Sequence, residues 1–143
     1  MMNSVTVSAE LSLSLVVPEH GAVPLVASVD YCADDPYAIK MAFHVGTDEP
    51  VEWIFARELL AQGLAGPAGD GDVKVWPEAV AEESQNSDIL NVALASPFGE
   101  AHFQASLSAV AEFVKSSYQI IPEGSEADFI DLDSELDDLL WQA

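Results

Sequence analysis

The chain is 143 residues long, about one domain's worth, and half of it is hydrophobic, so it can bury a core. Its 25 acidic residues face only 4 basic ones, Lys40, Arg57, Lys74 and Lys115, for a formal net charge of −21. That balance argues against a nucleic-acid binder, which needs Lys and Arg to displace counterions from phosphates, and against a protein that grips anionic membrane through a basic patch.

Cys32 is the only cysteine, which rules out an intramolecular disulfide and a CxxC metal site. The first residues, Met1-Met2-Asn3-Ser4, have neither a basic n-region nor an apolar run of signal-peptide type. No segment reaches the ~18 consecutive apolar residues that span a bilayer. The expected address is the cytoplasm, with no direct membrane insertion.

Val5, Val7, Ala9, Leu11, Leu13, Leu15 and Val17 alternate with Thr6, Ser8, Glu10, Ser12 and Ser14, the period of a long strand with one buried face. Pro18 ends it, and Glu19-His20-Gly21 turns the chain. Leu25, Ala27, Val29 and Tyr31 repeat the pattern until Asp34-Asp35-Pro36 breaks it. Ile39, Met41, Phe43 and Val45 predict a third strand, and Val51, Trp53 and Phe55 a fourth, so strands occupy 5–56. A short helix is expected over 57–63, carrying Leu59 and Leu60. Gly63 suits the left-handed residue after its last turn, with Leu64 as the hydrophobic contact that often follows, and Pro67 prevents resumption.

Gly69-Asp70-Gly71-Asp72 is then a turn, and strands resume over 72–105. Val73 and Val75 form a strand ended by Trp76-Pro77, and 78–88 is a polar, acidic connection. Leu90, Val92 and Leu94 form another, Pro97-Phe98-Gly99 turns, and Ala101, Phe103 and Ala105 form the next. A helix over 106–118 starts at Ser106, a good N-cap, with Leu107, Val110, Ala111, Val114 and Tyr118 as its buried stripe. A short C-terminal helix is expected over 133–141, capped by Asp133 and carrying Leu136, Leu139 and Leu140 at spacing three and four. Strands followed by a helix thus occur twice, without residue-level duplication, which predicts a single α+β domain, 1–143, with antiparallel sheets.

Candidate chemistry is sparse. His20 sits beside a turn glycine, His44 and His102 lie on strand faces opposite the apolar stripe, and no two have the i,i+4 spacing of a zinc protease helix. Asp131-Leu132-Asp133-Ser134-Glu135 opens like a calcium loop, but Leu136 stands where glycine is needed and Gln142 where a bidentate glutamate is needed, so helix capping is the better reading. No G-x-S-x-G elbow surrounds any serine, and Gly69-Asp70-Gly71-Asp72 is too short for a phosphate loop. No catalytic, cofactor or metal residue is therefore expected. Trp53, in register with Val51 and Phe55, reads first as core; Trp76 ends a strand before Pro77. Arg57, the only arginine, lies at a strand-to-helix junction, where an ion pair with one of many acids outweighs a ligand role. Trp53, Arg57 and Trp76 are the candidates for a subunit interface. Glu82 and Glu83 in the acidic connection, with Asp137 and Asp138 in the C-terminal helix, are the candidates for a partner surface.

Several blocks carry a resemblance. Asp35-Pro36-Tyr37-Ala38 with Phe43-His44, Val51-Glu52-Trp53-Ile54-Phe55-Ala56-Arg57-Glu58-Leu59-Leu60, Gly71-Asp72-Val73-Lys74-Val75-Trp76-Pro77, Ser96-Pro97-Phe98-Gly99-Glu100-Ala101 and Ile121-Pro122-Glu123-Gly124-Ser125-Glu126, in this order, resemble the SsgA-like sporulation and cell-division proteins of actinomycetes. The resemblance implies a Whirly-like fold, a duplicated β-β-β-β-α unit with two antiparallel sheets each followed by a helix, assembled as a trimer. It implies a non-enzymatic adaptor at the division septum that positions the GTPase FtsZ with help from a paralogue of the same family, and it implies no cofactor. A Whirly-like single-stranded nucleic-acid-binding module is the alternative, disfavoured by the charge of −21. A small hydrolase or ligand-binding protein would need converging polar groups that these residues do not supply.

Overall fold

Alternation of apolar and polar residues is what a half-buried strand requires, and the first hairpin carries it throughout. The structure, a computed structural model, describes residues 6–44, 50–79, 88–97 and 99–129. Strands β1 (Thr6–Val17) and β2 (Gly21–Cys32) pair antiparallel over their full length, from Thr6↔Cys32 to Val17↔Gly21. Strands β3 (Ala38–His44) and β4 (Val51–Ala56) continue the sheet, and β4 runs directly into helix α1 (Arg57–Ala65). Strands β5 (Ala68–Asp70), β6 (Val73–Glu78), β7 (Ile89–Ser96) and β8 (Gly99–Ser106) follow, then helix α2 (Leu107–Ile120) and a 3-10 turn, Glu126–Phe129. The C-terminal helix expected over 133–141 lies outside the described residues.

The two separate sheets expected from the sequence are instead one sheet of eight antiparallel strands, in the order β4-β3-β2-β1-β8-β7-β6-β5. A short ladder, Leu13↔Ala105, Ser14↔Gln104 and Leu15↔Phe103, welds the halves. Its physical reason is the edge: separate sheets would leave the open sides of β1 and β8 without hydrogen-bond partners. The sheet is strongly curled. Phe43 on β3 and Phe103 on β8 stand three strand steps apart, about 14 Å on a flat sheet, yet their rings stack with centroids 4.4 Å apart. Curling brings the apolar faces of both halves onto one core with the helices, which includes Leu11, Val29, Ile39, Phe55, Leu60, Val92, Phe113 and Val114.

Three local expectations change. Gly69 and Asp70, expected within a turn, belong instead to strand β5, which pairs to β6 through Ala68↔Val75, and only Gly71-Asp72 turns, with Gly71 at φ 60°. Gly63 does not end α1, which runs on to Ala65. It is buried within the helix, and a Cβ at this position would lie on Val75 Cγ1 and 2.7 Å from Val75 Cβ. The glycine is there for close helix–sheet approach, not for a left-handed cap. On α2, Ser106 caps as expected by accepting from Ala109 N. The most deeply buried positions are Val110, Phe113, Val114 and Ser117, while Leu107, Ala111 and Tyr118 are only half-buried.

Candidate functional site

The most elaborate polar site in the molecule is built around Arg57. Strand β4 ends as Arg57 N donates to Tyr37 O at 2.7 Å, which aims the side chain inward at the first residue of α1. Only 1% of Arg57 is exposed. Its Nη1 donates to the carbonyls of Ser117 (3.1 Å) and Ile121 (2.8 Å), capping the C-terminal end of α2, where the helix dipole favours a cation. Its Nη2 donates to Glu126 Oε2 at 2.8 Å, and Glu126 Oε1 accepts from Gly124 N at 2.9 Å. The guanidinium lies between two aromatic faces, 4.7 Å from the Tyr31 ring centre and 4.1 Å from that of Tyr118. The Arg57 hydrogen bond holds the Glu126 carboxyl below its ordinary value, and burial raises both tyrosines despite the nearby cation. This is a clasp binding β2, α1, α2 and the 3-10 turn. Among the described residues, the buried Arg57 Nε has no hydrogen-bond partner.

A second polar cluster lies on the convex face of the other half. Asn91 on β7 is fully buried although it points away from the core, in a cross-strand row with Trp76 and Gln104. Its Nδ2 donates to Glu78 Oε1 (3.1 Å), with a longer contact of 3.5 Å to Trp76 O. Its Oδ1 accepts from Gln104 Nε2 (3.1 Å) and His102 Nε2 (2.7 Å), so the imidazole proton sits on Nε2. Trp76 covers His102, ring centres 5.3 Å apart. Asn91→Ala would take the acceptor from the half-buried His102 Nε2 and Gln104 Nε2. The expected loss is about 1–3 kcal/mol of unfolding free energy, checked by urea denaturation.

A third feature is an apolar cleft of about 340 Å³ on the concave side, lined by Leu15, Phe43, Val51, Trp53, Leu94 and Phe103 among others.

The interface candidates have separate places. Trp53 is half-buried in the cleft wall and stacked on Phe55, Trp76 is half-buried on the convex face, and Arg57 is enclosed with its charge matched inside the chain. Glu82, Glu83, Asp137 and Asp138, and the calcium-like residues 131–142, lie outside the described residues. His44 Nε2 stands 2.8 Å from Ser28 Oγ in an exposed pair, and among the described residues no third group bonds the imidazole to orient it as in a catalytic triad. Among the described residues no three His, Cys, Asp or Glu side chains gather as a metal site, and no described helix is long and apolar enough to cross a membrane. Asn91, Tyr31, Tyr118 and Glu126 were not singled out as site residues by sequence. Only Asn91 left a trace there, a polar residue inside an otherwise apolar strand.

A family model described as the Streptomyces sporulation and cell division protein SsgA matches residues 25–126, a span that holds the whole Arg57 clasp. The chain belongs to the SsgA family. It is 50% identical over 131 residues to the sporulation-specific cell division protein SsgB of Thermobifida fusca, covering 92% of each chain. It is 44% identical over 138 residues to SsgB of Streptomyces coelicolor, covering 96% of this chain and 98% of that one. The fold agrees. A crystal structure of the SsgA-like sporulation-specific cell division protein of Thermobifida fusca superposes with a TM-score of 0.83 at 46% identity, covering 96% of this chain and 98% of the other. A structure from work relating SsgB mutations to longitudinal cell division during sporulation of Streptomyces coelicolor superposes with a TM-score of 0.81 at 42% identity, covering 89% and 97%. This SsgA-family chain is thus an α+β protein with an antiparallel curled sheet and two helices, and its relatives are sporulation-specific cell division proteins.

Proposed function

We propose that this SsgA-family protein is a non-enzymatic adaptor that recruits or positions FtsZ at sporulation septum sites. The observation that carries this reading is its similarity, over nearly the full length of both chains, to proteins named for sporulation-specific cell division. The polar sites fit an adaptor. The Arg57 clasp spends its groups on holding helices and sheet together, and the Asn91 network satisfies itself. In this reading each four-strand-and-helix half is one copy of a Whirly-like unit. The protein works as a cytoplasmic trimer at the septum, assisted by a paralogue, and three copies of one surface meet the many copies on an FtsZ polymer, so weak contacts sum by effective concentration. Nucleic-acid binding fits poorly, because Arg57 is enclosed and Lys40 is paired with Glu52 at 2.8 Å, leaving Lys74 and Lys115 against a formal charge of −21.

Co-pelleting with FtsZ of the same organism, polymerised with GTP and compared with unpolymerised FtsZ, tests the proposal. Enrichment in the polymer pellet is expected. A folded protein that stays in the supernatant would rule out direct recruitment.

A further inference from the structure

The eight-stranded sheet has two edges, and they are protected differently. Strand β5 is three residues long and lies against α1. Strand β4 is six residues long, contains no proline or lysine, and presents Val51 (50% exposed) and Ile54 (66% exposed). Natural edges are usually shortened, bulged, covered or broken by such residues, and among the described residues β4 has none of these devices apart from Glu52.

The backbone register shows which groups are free. The bond from Arg57 N to Tyr37 O makes 57 and 37 a hydrogen-bonded pair next to Ala38↔Ala56. Bonded and non-bonded pairs alternate in an antiparallel ladder, so Phe55 and Trp53 bond to β3, while Glu52 and Ile54 turn their N–H and C=O groups, and Ala56 its N–H, to the open side; the Ala56 carbonyl opens helix α1. Among the described residues, no backbone bond outside the strands and helices uses these groups.

We propose that β4 is a docking edge that accepts an extended peptide of alternating apolar and basic residues by strand addition. Alternate side chains of an added strand fall on opposite faces. Those on the concave side enter the apolar cleft beside Val51 and Trp53. Those on the convex side run past Ile54 and the exposed Glu52, and Glu58 is exposed just beyond the strand. Glu100 stands on the rim of the cleft. The one arginine nearby is enclosed and the exposed Lys40 is bridged to Glu52, so Glu58, Glu100 and the net charge of −21 set the local sign, and Lys or Arg on the partner complements this edge. The strand edge argues for a peptide of this kind whether or not FtsZ supplies it.

The test uses the full chain and a capped nine-residue peptide of alternating valine and lysine, with affinity from anisotropy of the labelled peptide and location from amide chemical shifts. Saturable binding is expected, with the largest shifts at Glu52, Ile54 and Ala56. A valine–glutamate peptide, and a valine–lysine peptide N-methylated along its pairing edge, should each bind at least tenfold more weakly. Ile54→Pro should abolish binding yet fold, because the N–H it removes makes no bond to β3. Ile54→Lys, which leaves the backbone unchanged, should weaken binding of the basic peptide and serves if the proline variant is unstable. Absence of binding would overturn the proposal. So would binding indifferent to N-methylation and to Ile54→Pro, which would mean plain charge attraction. An oligomer of the wild type that Ile54→Pro dissociates would overturn it in favour of a second copy of this chain on the edge.

Discussion

Arg57→Met should lower the unfolding free energy by about 3–5 kcal/mol, the usual cost of removing one partner from a buried ion pair. For a chain of this length that is a fall in Tm of roughly 10–15 °C, measurable by calorimetry. Methionine fills much of the space between Tyr31 and Tyr118 but removes the donor to the Ile121 carbonyl and to one Glu126 oxygen, and leaves the Ser117 carbonyl with Ile121 N alone. Arg57→Lys should fall between the two. A lysine keeps the charge, but its point-like ammonium cannot reproduce a planar fork that meets three oxygens and two rings at once.

The pH dependence separates the ion pair from the packing. Glu126 is held below its ordinary 4.5, chiefly by the Arg57 hydrogen bond. A depressed folded value means that the unfolded chain takes up the proton first as pH falls. The contribution is therefore complete above the unfolded value and is lost as pH drops through the folded one. The stability difference between the wild type and Glu126→Gln should be constant near neutrality and shrink below about pH 4, as followed by urea titrations of both proteins across pH. A difference that persists unchanged to pH 2 would show that the carboxylate charge contributes nothing.

The second large effect is expected at Gly63. Gly63→Ala adds one methyl group where Val75, itself fully buried on β6, already stands. Helix propensity favours the alanine by about 1 kcal/mol, but overpacking of this kind costs about 1–3 kcal/mol. The contact is with a Cβ, close to the backbone, so the strand must move along with its side chain. With overpacking at the upper part of that range, the net destabilisation expected is about 1–2 kcal/mol, seen as a lower midpoint in urea. Gly66→Ala is the matched control. Gly66 is extended, with φ 179°, and nothing lies within 4 Å of a Cβ there, so its stability should change by no more than about 0.5 kcal/mol.

The sequence alone determined those features whose physics is local. Alternation marks β1 and β2 because a pleated strand sends neighbouring side chains to opposite faces, and Ser106 marks the start of α2 because its hydroxyl meets an amide that the helix cannot satisfy. Spaced blocks such as the Val51–Leu60 run were enough to carry a family resemblance. A charge of −21 already weighed against phosphate binding before any strand was placed.

Only the tertiary structure decided what depends on residues far apart in the chain. Curling of the sheet sets Phe43 on Phe103, and no periodicity encodes that contact. The glycine at 63 looks like a helix stop until Val75 is seen beneath it. Arg57 finds its acid 69 residues away, on a turn after α2, because only packing of α1 against α2 brings the two together. With 25 carboxylates to choose from, sequence spacing could not select Glu126. Which backbone groups of β4 remain open is decided the same way, by a register that exists only once β3 has paired with it.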